Sequence, residues 1–378
     1  MIRTTAVWLA SLLALGGLAS PAVSAPRADV APRADVAPRS DVVQKSIDNL
    51  VRVDKFPGVM ASVREADGRV RNWTAGVADL KTGRKMPVDG RIRIASNTKM
   101  FTSTVILQLV GEGKVRLDAP VETYLPGVVP NGQKITVRQL LQHTSGLADY
   151  DDVIFADFLN NLHTYYEPYE LLRAGFDREP VSGFSYSNTN YIVAGLIIQK
   201  VTGRPVGEQI TKRIIEPAGL RGTYWPGEGE TTIRGTHPRG YYPAMQGNGP
   251  VDITETEPSA GWSAGALVGP PSDINRFLAA LLGGKLLEPA QLAEMQKTVD
   301  APGYDTVGGS RYGLGLATFK LSCGGFAWTH GGVAPGYVSY VGIAPSGRSA
   351  TIVVNSMIAD PVNAQHLDRA VDTALCRS

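Results

Sequence analysis

The stretch SNTKMFTSTVILQLV at residues 96–110 sets a serine and a lysine at the start of a strongly apolar segment. On a helix, residues three positions apart lie on one face, so the Ser96 hydroxyl and the Lys99 amine can meet. A serine at a helix N-terminus faces the positive end of the helix dipole, where backbone N–H groups can stabilise an oxyanion. A desolvated lysine there loses its proton readily and can act as a base. Taken alone the pattern is weak, because a helix cap with a surface lysine also produces it.

Two further motifs carry side chains suited to the same chemistry. In YSN at residues 186–188, the tyrosine hydroxyl and the asparagine amide project to one side of an extended loop. Tyrosine can relay a proton and the amide can hold a substrate carbonyl. In HGG at residues 330–332, the glycines allow close approach of a substrate backbone and the histidine adds a titratable group. Taken singly, each is also explained by ordinary packing and turn formation.

Strand patterns at both ends of the chain enclose a largely helical middle. Alternating segments around short turns predict hairpins at residues 59–74 and 337–354, and apolar spacing predicts a closing helix over 364–375. This order predicts one α+β domain interrupted by a helical insertion. Helices are predicted at 100–110, 137–141, 169–174, 191–201, 206–215, 274–282 and 289–296.

The composition limits the remaining classes of protein. The chain has 378 residues, a formal net charge of +2, 43% hydrophobic residues and two cysteines. The length allows two structural units or one interrupted unit, and the small net charge gives no electrostatic reason to expect a nucleic-acid partner. Two cysteines exclude a disulfide-scaffold mini-protein and a four-cysteine metal site. No apolar run of about 18 residues follows the N-terminal region, so no membrane partner is expected.

Residues 1–25 have the pattern of a bacterial secretory signal, with a charged start, an apolar stretch and small residues before the cleavage site. Cleavage is expected after Ala25, or after Ala22 because Pro26 hinders the first site. A retained anchor is the alternative, although the apolar stretch of about 13 residues is short for a core of about 30 Å. We therefore expect a secreted, extracellular protein.

A hexapeptide repeat follows the signal. Residues 25–42 contain APRADV twice and APRSDV once. Three such copies are too short for a solenoid, and regular proline with alternating charge predicts a disordered, solvated linker over residues 26–44. Association with a cell wall is the less favoured alternative.

The chain has two cysteines, Cys323 and Cys376. In a secreted protein the default expectation is that they pair. Closing a loop of about 54 residues would stabilise the fold by about 4 kcal/mol in the chain-entropy treatment. Two buried free thiols are the alternative.

The order and spacing of the three motifs resemble the penicillin-recognising serine hydrolases, the family of class C β-lactamases and D-alanyl-D-alanine carboxypeptidases. The tyrosine motif begins 90 residues after Ser96, and the histidine motif 144 residues after that. Further matches are LLQHTSGL at residues 140–147, VTGRP at 201–205 and YGLGL at 312–316. The chain is most similar to secreted actinomycete carboxypeptidases, which have His where β-lactamases have Lys in the third motif.

The resemblance covers about residues 45–376 and implies a β-lactamase/transpeptidase-like fold. This is an α+β fold with a mostly antiparallel sheet flanked by helices and an inserted helical subdomain. The hydrolase domain would occupy residues 45–378. Its sheet would come from 45–95 and 262–378, and its helical part from about 96–261.

The resemblance also implies roles for single residues. Ser96 would be the acylated nucleophile, with Lys99 and Tyr186 handling its proton. Asn188 would position the substrate and His330 would complete the third motif. Ser96 and Val333 would supply the oxyanion N–H groups, and Gly331 and Gly332 would lie against the substrate. Trp262 or Trp225 would wall the cleft, with core packing as the alternative for both. His143 would only hold a loop.

One departure from the family concerns the substrate's terminal carboxylate. Carboxypeptidases of this type bind it with an arginine and two hydroxyls, and those positions hold Ala317, Gly331 and Val333 here. Each lost charge-assisted hydrogen bond costs about 1.5–3 kcal/mol, unless Arg311 or Lys320 substitutes. The first expectation is a D-alanyl-D-alanine carboxypeptidase acting on cell-wall peptides. The alternatives are an esterase, amidase or D-amino-acid peptidase of the same family, or a β-lactamase-like hydrolase.

A rival serine lies in GWSAG at residues 261–265, which matches the nucleophile elbow of α/β-hydrolases. The elbow needs a buried strand before it and a long helix after it. The preceding residues are polar, and two prolines follow within six residues, so Ser263 is the less favoured nucleophile.

Two other classes complete the alternatives. A non-enzymatic penicillin-binding sensor would not need the intact Ser96, Lys99, Tyr186 and Asn188. A metalloenzyme is not favoured, because the five histidines show no metal-ligand spacing. We therefore expect no cofactor, no metal and a monomer, with a peptide or small-molecule substrate and β-lactams as acylating ligands.

Overall fold

A computed structural model describes residues 41–243, 249–304 and 308–376. The predicted signal at residues 1–25 lies outside the described residues, as does the linker up to residue 40. Residues 42–44 were expected in that linker but open the first helix. The Asp41 carboxylate accepts the backbone N–H groups of Val43 and Gln44, which caps the helix one residue before its start.

Eleven helices are formed by the described residues. Their bounds are α1 Val42–Arg52, α2 Thr98–Gly111, α3 Val137–Leu141, α4 Asp151–Ile154, α5 Pro168–Phe176, α6 Thr189–Thr202, α7 Val206–Ile210, α8 Trp262–Gly265, α9 Pro271–Leu282, α10 Pro289–Met295 and α11 Pro361–Cys376. The helix predicted over 206–215 divides into α7 and a π-helical turn at Thr211–Ile215. The other predicted helices are confirmed, with ends shifted by up to three residues.

The strands alternate with these helices along the chain. Their bounds are β1 Gly58–Arg64, β2 Val70–Gly76, β3 Ile92–Arg93, β4 Tyr241–Tyr242, β5 Val251–Asp252, β6 Val268–Gly269, β7 Val299–Asp300, β8 Arg311–Tyr312, β9 Ala317–Lys320, β10 Phe326–Ala334, β11 Tyr337–Ile343 and β12 Ser349–Val354. The predicted hairpins are confirmed as β1–β2 and β11–β12.

Eight of these strands form one antiparallel sheet in the order β2-β1-β12-β11-β10-β9-β8-β7. The first and last strands, β1 and β12, therefore pair with each other. The chain between β2 and β7 forms an insertion between two parts of this sheet. The expected α+β architecture is confirmed. Within the insertion, β3 pairs with β6 and β4 with β5, so this part is not purely helical.

Helices cover both faces of the sheet. On one face, α1 and α11 pack against β1 and β12 through Ile47, Val59 and Val371. On the other face lies α9, where Asn275 donates to the Ser62 carbonyl and accepts from Thr351. Within the insertion, α2 is buried on nearly all sides, which is why its sequence is apolar around its whole circumference. The turn that precedes α2 contacts β10, so the N-terminal end of α2 lies beside that strand.

The two cysteines form the predicted disulfide between the β9–β10 turn and the end of α11, with Cα atoms 5.6 Å apart. The bridge therefore ties the hairpin that leads into β10 to the C-terminal helix. Among the described residues, no helix is long and apolar enough to cross a membrane.

Candidate active site

Ser96 lies in a short 3-10 turn, Ala95–Asn97, that joins β3 to α2. Ala95 has a φ of 52°, a left-handed conformation that costs a non-glycine residue about 1–3 kcal/mol. The Asn97 side chain donates to Ser339 on β11 and so fixes the turn against the sheet. Ser96 is consequently held at the N-terminal end of α2, partly exposed to a cleft of about 810 Å³.

The Lys99 amine contacts three oxygens. Its Nζ lies 3.0 Å from Ser96 Oγ, 2.5 Å from Asn188 Oδ1 and 2.9 Å from the Ala264 carbonyl oxygen. A neutral amine has two N–H donors and one lone pair. With the amide and the carbonyl as acceptors, the lone pair is directed at the Ser96 hydroxyl, which is the arrangement a general base requires.

Burial also favours the neutral form of Lys99. Desolvation lowers its pKa from 10.5 to about 7, and the nearby carboxylates of Asp151 and Asp149 oppose that shift. A substantial fraction of the amine is thus unprotonated near neutral pH. The predicted Ser96–Lys99 contact is present in the structure, and the electrostatics suit it to remove the serine proton.

The Tyr186 ring lies beside the lysine, with Lys99 Nζ 5.0 Å from the ring centroid, and its hydroxyl interacts with the Ser96 side chain. Desolvation raises its pKa well above 10, so it is a phenol rather than a phenolate near neutral pH. His143 holds this segment, as expected: its Nδ1 accepts the Ser187 N–H at 3.1 Å and its carbonyl accepts the Ser185 N–H. Burial keeps the His143 pKa well below 6.5, so this histidine is neutral.

Asn188 lines the cleft, but protein groups occupy both ends of its amide. Its oxygen accepts from Lys99, and its Nδ2 donates to Asp151 at 2.7 Å and Asp149 at 3.1 Å. The sequence interpretation assigned this amide to the substrate. The structure shows that this amide also holds Lys99 and the two carboxylates, and its expected contact with the substrate stays a prediction.

The pair Asp149 and Asp151 was missed by sequence reasoning. Both line the cleft beside Ser96. Burial raises the pKa of each, that of Asp151 well above 3.8 with the Asp149 charge adding to it, while Lys99 opposes the shift. The pair lies between the LLQHTSGL and YSN segments, and no spacing rule connects it to Ser96. Its neighbour Asp152 is already ion-paired with Arg178 at 2.7 Å.

The opposite wall of the cleft is the free edge of β10. Strand β9 pairs with residues 326–329 of β10, and among the described residues no pairing with β9 extends to residues 330–334. A Cβ on Gly332 would lie 2.5 Å from the Ile94 carbonyl oxygen, so this glycine lets β10 approach the Ser96 turn. Gly331 is different, because its nearest neighbour would be 3.8 Å away. Packing within the protein thus requires a glycine at 332 but not at 331, and the substrate contact expected of both glycines stays a prediction.

His330 does not provide the titratable group expected near neutral pH. Burial, with a contribution from Lys99, lowers its pKa to about 3. Its Nδ1 lies 2.6 Å from the Gly331 carbonyl and its Nε2 lies 2.9 Å from the Tyr312 hydroxyl. The neutral ring therefore donates through Nδ1 and accepts from Tyr312, and the third motif contributes no positive charge.

The two tryptophans considered for the cleft wall, Trp262 and Trp225, do not line the Ser96 cleft. Trp262 packs over Gly195 of α6, and Trp225 over Gly207. Both line a separate surface depression rather than the Ser96 cleft, so the expectation that Trp262 walls the cleft is wrong. A glycine in the neighbouring helix leaves room for each ring.

The rival nucleophile Ser263 is fully buried in α8, where its hydroxyl donates to the Tyr191 carbonyl at 2.8 Å. Its own carbonyl accepts from Thr102 of α2. Ser263 therefore joins α8 to α6 and α2. In this arrangement the following residue, Ala264, presents its carbonyl to Lys99.

Val333 stands on the cleft wall opposite Ser96, with its side chain 59% exposed. The structure brings together Ser96, Lys99, Tyr186, Asn188, Gly332 and Val333. The pairing of the Ser96 and Val333 N–H groups as an oxyanion hole stays a prediction.

The beta-lactamase family profile matches residues 43–374. This chain belongs to the beta-lactamase family. Its members are serine hydrolases, and the antiparallel sheet with flanking helices is their fold.

Relatives of this chain include PbpX, a penicillin-binding protein of Bacillus subtilis, which is 30% identical over 317 residues, covering 83% of this chain and 74% of PbpX. A D-stereospecific amidohydrolase from Streptomyces superposes with a TM-score of 0.79 and 34% identity, over 89% of this chain and 98% of its own. The D-amino acid amidase of Ochrobactrum anthropi, complexed with L-phenylalanine amide, superposes with a TM-score of 0.75 and 30% identity. The match covers 88% of this chain and 96% of the amidase.

Proposed function

We propose that this protein hydrolyses amides and esters of D-amino acids that carry a free α-amino group, through an acyl-enzyme at Ser96. Ser96 Oγ attacks the substrate carbonyl carbon while Lys99 takes the hydroxyl proton. The leaving amine or alcohol departs with a proton that returns through Lys99 or Tyr186. Water then hydrolyses the ester bond to Ser96 and releases the D-amino acid.

The observation that carries this proposal is the acidic pair beside the nucleophile. The hydrogen bonds to the Asp149 and Asp151 carboxylates come from neutral N–H groups, those of the Asn188 amide and the Asp151 backbone. Their raised pKa values show that burial disfavours their charge. A substrate ammonium bound there would stabilise both carboxylates by direct charge pairing.

The opposite wall of the cleft supports the same choice. Ala317, Gly331 and Val333 provide no side-chain donor for a substrate carboxylate, and His330 is neutral. Arg311 does not replace them, because it is ion-paired with Asp300 and hydrogen-bonded to Thr298. The names of the Streptomyces and Ochrobactrum relatives agree with a D-amino-acid amide substrate.

The test compares three substrates: D-phenylalanine amide, N-acetyl-D-phenylalanine amide and an N-acylated D-alanyl-D-alanine peptide. We expect turnover of the free amine, and a loss of at least about tenfold in kcat/KM when acetylation removes the charge. Asp151→Asn should abolish that preference. Asp152→Asn is the matched control, because Asp152 already has Arg178 as its partner.

The carboxypeptidase expected from the sequence is the competing candidate in this experiment. Preferential release of D-alanine from the N-acylated peptide, with no turnover of the free amine, would overturn the amidase proposal and favour the carboxypeptidase. Acylation by fluorescent penicillin, expected from the family, is measured on the same samples with Ser96→Ala as the blank.

We further propose that the protein acts outside the cell as a monomer. The predicted signal and the Cys323–Cys376 disulfide support secretion, because disulfides persist in oxidising compartments. Sizing of the mature protein from culture supernatant tests both points together.

A further inference from the structure

A second cavity of about 80 Å³ opens beside Ser96. Apolar side chains form much of its wall, including Ile154, Phe155 and Phe158. Two buried charged residues, Arg93 and Glu257, also line it. A space of this size suits a short side chain rather than an extended ligand.

Arg93 is the first unusual feature of this cavity. It precedes the Ser96 turn, is only 4% exposed, and uses Nη2 to donate to the carbonyls of Thr231 and Thr254. Its Nε is buried without a hydrogen-bond partner among the described residues. Among the described residues, no carboxylate lies within 4.0 Å of the Arg93 guanidinium as an ion-pair partner. Because protein atoms enclose this Nε, the guanidinium donor that can reach a group in the cavity is Nη1, for which no hydrogen bond is found among the described residues.

Glu257 is the second unusual feature. It is 6% exposed, and its carboxylate accepts a long hydrogen bond of 3.2 Å from the Ser259 N–H. A donor at Arg93 and an acceptor at Glu257 therefore line one small space. A primary carboxamide presents an acceptor oxygen and a donor nitrogen at the same end, so it matches both groups.

Other side chains match this space less well. A carboxylate would meet the charges of Glu257 and Asp151, which both line the cavity. An ammonium would meet the guanidinium of Arg93. A purely apolar side chain would fill the volume but leave both buried groups without a partner.

We propose that this cavity receives the side chain of the acyl residue and selects a short terminal carboxamide, so that D-asparaginyl amides are preferred substrates. The proposal rests on the function proposed above and adds the substrate class. Ser96 would attack the D-asparaginyl carbonyl while the side-chain amide accepts from Arg93 and donates to Glu257.

The experiment compares D-asparaginyl, D-leucyl and D-aspartyl p-nitroanilides. Asparagine and leucine side chains have nearly the same shape, so their ratio isolates the carboxamide. We expect kcat/KM to favour D-asparaginyl over each of the others by about ten- to a hundredfold, mainly through KM. Arg93→Met should reduce the asparaginyl-to-leucyl ratio to about one.

Arg91→Met is the matched control. Arg91 lies two residues away and is bonded to the carbonyls of Gly222 and Arg234, outside the cavity. Arg91→Met should leave the asparaginyl-to-leucyl ratio of kcat/KM unchanged. Competitive inhibition of the wild-type protein by D-asparagine and by D-leucine gives the same comparison if Arg93→Met does not fold.

The outcomes separate this inference from the proposed function. Turnover of D-leucyl p-nitroanilide that equals or exceeds that of the D-asparaginyl substrate would overturn the carboxamide preference alone. Failure of the folded wild-type protein to hydrolyse any of the three would overturn the proposed function together with this inference.

Discussion

The two walls of the Ser96 cleft differ in how their side chains are held. On the helical wall, Lys99 and Asn188 are buried, Asp151 is half-buried, and the three are hydrogen-bonded in one network. On the β10 wall, Gly331 has room for a side chain and Val333 is mostly exposed. The groups that we propose to break the bond therefore depend on one another, whereas the exposed side chains on the β10 wall do not.

This difference has a physical reason. Removal of one member of the helical network leaves a buried polar partner without its hydrogen bond, which costs about 1–3 kcal/mol. Replacement of an exposed side chain on β10 leaves nothing unpaired. Substrate preference can thus change at the β10 wall while the chemistry at Ser96 stays intact.

The largest expected effect comes from the helical wall. Ser96→Ala removes the nucleophile and should reduce kcat by about 10⁴-fold or more, measured with a p-nitrophenyl ester. The matched control is Ser263→Ala, which removes a buried structural hydroxyl. It should cost about 1 kcal/mol of stability in chemical denaturation and leave kcat within a few-fold. Loss of activity in Ser263→Ala with an active Ser96→Ala would reverse the assignment.

The second prediction concerns pH. Because the pKa of Lys99 is lowered to about 7, the neutral base is present above that pH and is lost as pH falls through it. For a neutral ester, kcat/KM should fall about tenfold per pH unit below pH 7 and level off above it. A profile flat from pH 5 to 9 would contradict lysine as the base.

The same profile tests the acidic pair. Asp151 opposes the lowering of the Lys99 pKa. Asp151→Asn keeps the shape and removes the charge, so the acidic limb should move to lower pH. An ester without an ammonium group is used for this measurement, because substrate binding then does not depend on Asp151.

The parts of the site that followed from sequence are those fixed by local geometry. Ser96 and Lys99 meet because a spacing of three residues in a helical turn brings their side chains together. The sheet hairpins follow from the alternation of apolar and polar residues around short turns. Asp151 could not be found this way, since its approach to Asn188 depends on the packing of α4 against the start of α6. The neutrality of His330 likewise depends on its burial and on the nearby Lys99, and both are set by tertiary packing.

The error at Trp262 has a related origin. A glycine-rich segment predicts a bend but not the side to which the neighbouring ring turns. The space above Gly195 decides that, and it belongs to another helix. Sequence patterns therefore locate the proposed nucleophile and base, while the charges that line the cleft come from tertiary contacts.

The smallest expected effect is at the β10 wall, and it tests whether the two walls are independent. Gly331→Thr restores one hydroxyl of the carboxypeptidase pattern at a position where a Cβ meets nothing closer than 3.8 Å. One charge-assisted hydrogen bond of about 1.5 kcal/mol should raise the ratio of carboxylate-terminated peptide to amide turnover by about tenfold. Gly331→Val has the same shape without the hydroxyl and should not raise it. An equal response of both variants would mean that bulk, not hydrogen bonding, sets the preference, and a change in the Lys99 pH profile would show that the walls are coupled.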